Sequence, residues 1–225
     1  MKRVLLAAAS AAALLGSQAF AADAPMKPGA MPIEAFNPWM VRLRALAVVP
    51  QEDASLSTAA GPIIGGKVGI SNSVVPELDI TYFFNRNFAV ELILGTTPHK
   101  VKGAGALAGV GPIGRAWLLP PTLTAQYHFY LTDSIKPYVG AGINYTIFYN
   151  EKSSGVFTGT KFDLKDTFGL AVQAGVDIMI NKNWGFNVDV KKIWLEPNVS
   201  VGSGAVTGKV KIDPWLIGAG ITYKF

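Results

Sequence analysis

The residues best suited to chemistry in this chain are charges and amides set singly into otherwise apolar stretches. Arg42, Arg44, Asp79, Glu91, Asp177 and Asp189, with Gln126 and Asn144, each occupy one parity of an alternating segment. Charges withdrawn from water persist only when paired or hydrogen-bonded, so this set predicts a buried ion-pair network and not a reaction centre. Other patterns carry less. Gly109-Val110-Gly111-Pro112-Ile113-Gly114 has the spacing of a dinucleotide-binding turn, but it contains Pro112 and no helical pattern follows it. His99 and His128 are the only histidines and cysteine is absent, a weak basis for a metal site. No cofactor and no catalytic residue are expected.

The elements that must position these charges have a period of two. Trp39, Val41, Leu43, Ala45, Ala47 and Val49 oppose Met40, Arg42, Arg44, Leu46 and Val48, so both arginines share a face. In residues 77–84 and 88–94 the carboxylates Glu77, Asp79 and Glu91 all fall on the face away from the apolar row. Residues 122–129, 139–147, 168–178 and 184–191 repeat the pattern, and a last strand runs from about Ile212 to Phe225. The fold class predicted is all-β, an eight-stranded antiparallel transmembrane β-barrel. Short turns at Asn85-Arg86-Asn87, Thr132-Asp133-Ser134 and Asn181-Lys182-Asn183 alternate with long segments at about 50–73, 97–120, 150–165 and 196–210. That asymmetry fits short periplasmic turns and long extracellular loops. The Gly, Ser and Thr content of the long segments suits mobile loops.

Lys2 and Arg3, an apolar run over residues 4–15 and then Ala19-Phe20-Ala21 form the layout of a cleavable export signal. Residues 1–21 therefore read as a signal peptide, 22–37 as a flexible periplasmic lead-in, and 38–225 as the transmembrane β-barrel. No stretch supplies the roughly 20 apolar residues of a spanning helix, which excludes a helical membrane protein. Half of the chain is hydrophobic and only 16% is charged, which also leans away from a soluble protein. Loss of Lys2 and Arg3 lowers the basic count from 20 to 18 against 15 acids, and this is no nucleic-acid signature.

Alternation alone fits a soluble barrel with an apolar interior equally well. Three features favour lipid outside. Trp39, Phe88, Trp184, Trp194, Trp215 and Tyr223 fall near strand ends on the apolar face, where an interfacial girdle would sit. The opposite face carries charge and Gly140, Gly142, Gly169, Gly175, Gly185, Gly218 and Gly220, as a narrow bore requires. Ile221, Tyr223 and Phe225 alternate to the end of the sequence like the signal read by the outer-membrane assembly machinery; the plain alternative is an edge strand that ends in Phe.

Pro120-Pro121-Thr122-Leu123, Tyr127-His128-Phe129 and the run Pro137-Tyr138-Val139-Gly140-Ala141-Gly142-Ile143-Asn144-Tyr145-Thr146 resemble the OmpW family of bacterial outer-membrane proteins. Residues 39–50, 82–91, 184–189 and 213–225 are also similar, whereas the long loops match poorly. The resemblance implies a narrow apolar lumen and passage of small hydrophobic molecules across the outer membrane of a Gram-negative bacterium.

Sorted by depth, Val48, Ile93, Phe148, Ile193 and Leu216 should line an apolar vestibule near the external end. Arg42, Arg44, Asp79, Glu91, Gln126, Asn144, Asp177 and Asp189 should plug the bore below it. A solute would then enter from outside, rest against Phe148 and leave sideways into the membrane. The alternatives are that the apolar residues merely fill the upper barrel, or that the barrel anchors loops that bind phage, toxin or host. A lipid-modifying enzyme would need a base such as His99 beside a nucleophile, and no local spacing supplies one. Lys192 points toward lipid beside Trp194, where its stem can snorkel to headgroups. Expected partners are outer-membrane lipid and lipopolysaccharide, the assembly machinery and small hydrophobic solutes, and not nucleic acid.

Overall fold

Alternating apolar strands can satisfy every backbone N–H and C=O in lipid only by closing on themselves. The computed structural model describes residues 37–225; the expected signal peptide and the expected lead-in up to residue 36 lie outside the described residues. Eight strands form the closed wall: β1 (Trp39–Val49), β5 (Ser73–Phe83), β6 (Phe88–Gly95), β9 (Thr122–His128), β10 (Ile135–Ser153), β12 (Thr167–Met179), β13 (Trp184–Trp194) and β16 (Trp215–Lys224). Each pairs antiparallel with its neighbours in the order β12-β13-β16-β1-β5-β6-β9-β10, and pairing of β10 with β12 shuts the ring. An 11-residue strand such as β1 is about 36 Å long and, tilted by roughly 40°, crosses about 27 Å, the height of the apolar band of such barrels.

The period-two pattern decides which face meets lipid. Leu43, Val139, Ile143, Val188 and Ile217 are exposed on the outer wall, while Arg42, Arg44, Asp79 and Asp189 alternate with them on the inside and are buried. At the periplasmic strand ends the outward aromatics meet edge to face, Trp39 with Tyr82 at 4.9 Å, Phe88 with Tyr127 at 5.0 Å and Trp184 with Tyr223 at 4.7 Å between ring centroids. Such contacts suit an interfacial belt, because amphipathic rings favour the headgroup level.

The long segments are more ordered than their composition suggests. They contain β2 (Asp53–Thr58), β3 (Gly61–Pro62), β4 (Gly66–Ile70), β7 (Thr97–Gly105), β8 (Pro112–Leu119), β11 (Phe162–Leu164), β14 (Asn198–Val201) and β15 (Val206–Lys211). β8, β7 and β4 continue the barrel sheet from the upper half of β10, and β11-β14-β15-β2-β3 form a second sheet beside it. Short alternations such as Val68/Ile70, Val199/Val201 and Val210/Ile212, masked by the surrounding Gly and Ser, turn their apolar sides inward. They join Leu56, Ile113, Leu118, Phe148 and Phe162 in one buried cluster that caps the barrel. His99 consequently lies on β7 and not in a loop.

The final strand also differs from expectation. Residues 212–225 are not one element: Asp213 adopts a left-handed φ of 32° before Pro214, and the chain bends there between cap strand β15 and wall strand β16. Asp213 Oδ1 accepts the Leu195 N–H at 2.8 Å, which holds the bend.

The cap strands pack on the top of a wall that its own ladder closes, so the cap should fail before the wall. Phe162→Asp would bury an unpaired carboxylate at a cost of several kcal/mol. The variant should keep the heat-modifiable gel mobility of a closed barrel while trypsin gains access to Lys161, Lys209 and Lys211, as peptide mapping will show.

Candidate functional site

Adjacent strands bring the inward charges face to face. Arg42 lies opposite Asp79, and Arg44 opposite Glu77, in the β1–β5 register. Arg42 grips Asp177 with two bonds, Nε to Oδ1 at 2.9 Å and Nη2 to Oδ2 at 2.6 Å, and its Nη1 reaches Thr81 at 3.0 Å and Glu91. Such forked pairing is the strongest form of guanidinium–carboxylate contact. Arg44 donates Nε to Glu77 at 2.9 Å, approaches Asp79 at 2.5 Å and donates Nη1 to Asn187 at 2.7 Å. Lys191 ties Glu77 at 3.0 Å to Asp189 at 2.6 Å.

Three cations thus face five carboxylates, all buried. Neutral donors offset the excess: the Tyr138 hydroxyl donates to Asp189 at 2.8 Å, Gln126 to Glu91 at 2.8 Å, and Asn187 and Thr222 to Asp177 at 2.9 and 3.0 Å. The inward glycines leave room for this network. A Cβ at Gly175 would stand 2.5 Å from the Tyr138 ring, and one at Gly218 would press on Arg44. Every cation of the floor is held by two or more carboxylates. Among the described residues no group of three His, Cys, Asp or Glu is placed to hold a metal. The glycine-rich motif at 109–114 runs from a single helical turn straight into strand β8.

Above the floor the lining turns apolar. A chamber of about 40 Å³ is bounded by Leu46, Val48, Ile93, Ile193 and Leu216, with Glu77, Lys191, Thr122 and Thr146 also on its lining. A second chamber of about 70 Å³ lies within the cap, among Leu56, Phe148, Phe157, Phe162 and Val210. His99, Leu118 and Ile212 line both. Val48, Ile93, Ile193 and Leu216 therefore sit at the lower chamber or in its surrounding cluster, and Phe148 at the upper one. Arg42, Arg44, Asp79, Glu91, Gln126, Asp177 and Asp189 form the floor, while Asn144 bonds Thr122 at 2.9 Å near its top.

The wall has a seam at the junction of barrel and cap. The β12–β13 ladder ends at Leu170 opposite Trp194, and backbone pairing of the two segments resumes where the Lys165 N–H donates to the Asn198 carbonyl at 3.0 Å. Outside this interval lies a groove of about 470 Å³, lined by Ile143, Phe168, Gly169, Leu170, Trp194 and Leu195 among others. Leu195 lines both this outer groove and the inner chamber. Lys192, expected to reach headgroups, instead bonds the Asp213 carbonyl at 2.5 Å and Gln51 at 2.8 Å, and lies over the Trp215 ring at 5.0 Å. The Asp213 bend supplies a carbonyl within reach, so the ammonium is satisfied by the protein.

Residues 38–225, which build this wall, floor and cap, match the OmpW family. The chain belongs to that family. It is 46% identical to the uncharacterized outer-membrane protein y4mB of Sinorhizobium fredii over 95% of each chain. Identity to outer membrane protein W of Escherichia coli is 33% over the full length of both. A Pseudomonas aeruginosa relative described as the dibenzothiophene metabolism operon protein PahQ is 28% identical, over 84% of this chain and 89% of that protein. The crystal structure of the outer-membrane protein OprG from Pseudomonas aeruginosa superposes with a TM-score of 0.78 at 29% identity, covering 84% of this chain and 96% of that one. The protein is accordingly an outer-membrane β-barrel of a Gram-negative bacterium.

Several members of the floor in this OmpW-family chain were passed over in the sequence. Glu77 and Lys191 stand two residues from Asp79 and Asp189 and share their parity, as do Thr81 and Asn187. Parity alone would have included them. Tyr138 shares the parity of Gly140, Gly142 and Asn144 and is 1% exposed, and Gly175 on the paired strand leaves room for its ring.

Removing one member of a buried network leaves its partners uncompensated. Arg42→Met strands Asp177 and Glu91 together and should cost about 3–5 kcal/mol. The triple change Arg42→Met, Glu91→Gln, Asp177→Asn should recover most of that loss, read as the urea midpoint of the barrel in lipid vesicles.

Proposed function

We propose that this barrel passes small hydrophobic molecules from the external medium into the membrane, with lateral exit. The observation that carries the reading is the pairing of an apolar cap chamber with an ion-paired floor. A solute entering the cap meets only hydrocarbon and one imidazole, and the bore beneath is filled with charges that would have to be desolvated and separated for it to continue. Leu195, which borders both the inner chamber and the outer groove, is the exit in this reading. The PahQ relative supports an apolar cargo, since dibenzothiophene is a polycyclic hydrophobe.

Volume limits the mechanism. Chambers of about 70 and 40 Å³ are smaller than the roughly 150 Å³ apolar cavity that admits benzene in an engineered protein. Passage therefore requires displacement of side chains such as Phe148 and Leu118, and the wall at Leu195 must yield in turn. No covalent step is assigned to any residue.

The same reading assigns the surroundings. Lys100, Arg115 and Lys152 stand directly opposite one another on β7, β8 and β10. Like charges in that register repel unless an anion lies across them, so the phosphates of outer-leaflet lipopolysaccharide are the fitting partner. Trp117, two residues nearer the membrane than Arg115, and Tyr149, three from Lys152 across a register shift, would sit at headgroup level, their rings 6.2 Å apart. Ile221, Tyr223 and Phe225 serve the assembly machinery in this account, and residues 1–21 direct export. Mass spectrometry of the protein extracted from outer membranes should find Ala22 at the N-terminus; a retained Met1 would remove the signal peptide from the account.

Uptake of octane and of a hydrophilic sugar, in cells lacking the protein and then supplied with variants, tests the route. The intact chain should speed octane uptake and leave the sugar unchanged. Phe148→Asp, which charges the chamber, and Leu195→Trp, which obstructs the seam, should each lower octane uptake several-fold while heat-modifiable mobility shows a folded barrel. Equal octane uptake with and without the protein would exclude transport and transfer the function to the outer surface of the cap.

A further inference from the structure

The cap chamber contains one chemical anomaly. Of the described residues that line it, His99 alone has a polar side chain, and it is 5% exposed. Its Nδ1 lies 2.6 Å from the carbonyl oxygen of Ser71. A carbonyl can only accept, so Nδ1 carries the proton and Nε2 is left with a free lone pair when the ring is neutral. Burial in this apolar cap holds the ring's pKa below the ordinary imidazole value, which keeps it neutral near pH 7. Among the described residues Nε2 has no hydrogen-bond partner.

We propose that Nε2 of His99 is a hydrogen-bond acceptor for the passing solute. The passage then favours apolar molecules bearing one hydroxyl, such as a medium-chain alcohol or a phenol, over bare hydrocarbons of equal size. This rests on the transport reading for its biological purpose, though the binding contact stands on its own geometry. Tethering β7 to Ser71 accounts for Nδ1 and leaves Nε2 unexplained. An acceptor without a protein donor is available to an arriving hydroxyl, which gains a partner there at the moment its own water is stripped away. The position is also apt: His99 borders both chambers with Leu118 and Ile212, so any solute moving from cap to seam passes the ring. A hydrophobic pocket alone discriminates weakly between a compound and its hydroxylated analogue, whereas one placed acceptor creates a preference.

The test uses the full-length mature protein in lipid nanodiscs with 15N-labelled histidine. With two histidines in the chain, His99→Phe assigns the signals of the remaining one. Saturating 1-octanol should move the His99 Nε2 resonance toward the hydrogen-bonded position, and octane should leave it in place. Binding, corrected for partition into empty discs, should favour octanol over octane by about threefold to tenfold, the size of one net hydrogen bond. His99→Phe should abolish the preference, and His99→Gln, which can still donate to Ser71 and accept from the solute, should restore part of it. An unmoved Nε2 resonance at saturating octanol, or a preference that survives His99→Phe in a folded barrel, overturns the proposal. Cell uptake separates this from failure of the transport reading. Octane and octanol taken up at ratios insensitive to His99→Phe would refute the His99 contact alone, whereas a shifted Nε2 without any uptake would refute transport alone.

Discussion

No water within a bilayer completes a peptide hydrogen bond, and closure of eight strands into one ladder is the constraint on which the rest of this molecule depends. Closure with so few strands fixes a bore little wider than the side chains that point into it. The inward parity of every wall strand is consequently a packing problem with almost no free volume. Glycine at positions such as 175 and 218 is the condition for placing Tyr138 and Arg44 there.

Within that bore the sequence must choose what to bury. In the membrane-embedded part it buries charge, in forked and bridged pairs whose partners come from β1, β5, β6, β12 and β13. Such a network cross-braces the wall while it blocks the bore. Where the strands rise past the membrane the inward residues become aliphatic and aromatic, and the continuing strands fold over them as a cap. The lining thus changes from ion pairs to hydrocarbon along one axis, and the proposed entry from outside rests on that change. The interruption of the ladder beside Leu195 lies at that boundary.

Much of this was legible in the sequence because a period of two is unambiguous over 10-residue strands. The eight wall strands, the shared face of Arg42 and Arg44, and the depth order from Asp79 up to Phe148 follow from parity and strand direction. The cap was not legible. Several of its strands, such as Phe162–Leu164 and Asn198–Val201, are three or four residues long, too short for periodicity to stand out, and the longer β7 and β8 are interrupted by Gly and Pro. The Asp213 bend was hidden because apolar alternation continues on either side of it. His99 looked like a solvated loop residue since nothing local announces that β7 turns it toward a chamber built by distant strands. Which partners join the floor is likewise a tertiary matter: Arg42 and Asp177 are 135 residues apart.

The most direct test of the account is to find where an apolar solute rests. An alkyl diazirine supplied from outside to intact cells, photolysed, and mapped on the isolated barrel by peptide mass spectrometry would locate it. The account predicts adducts on Phe148, Leu118 and Leu195, and none on the floor at Thr81 or Tyr138. Labelling of the floor, or labelling confined to the lipid-facing wall with the cap chamber untouched, would contradict it.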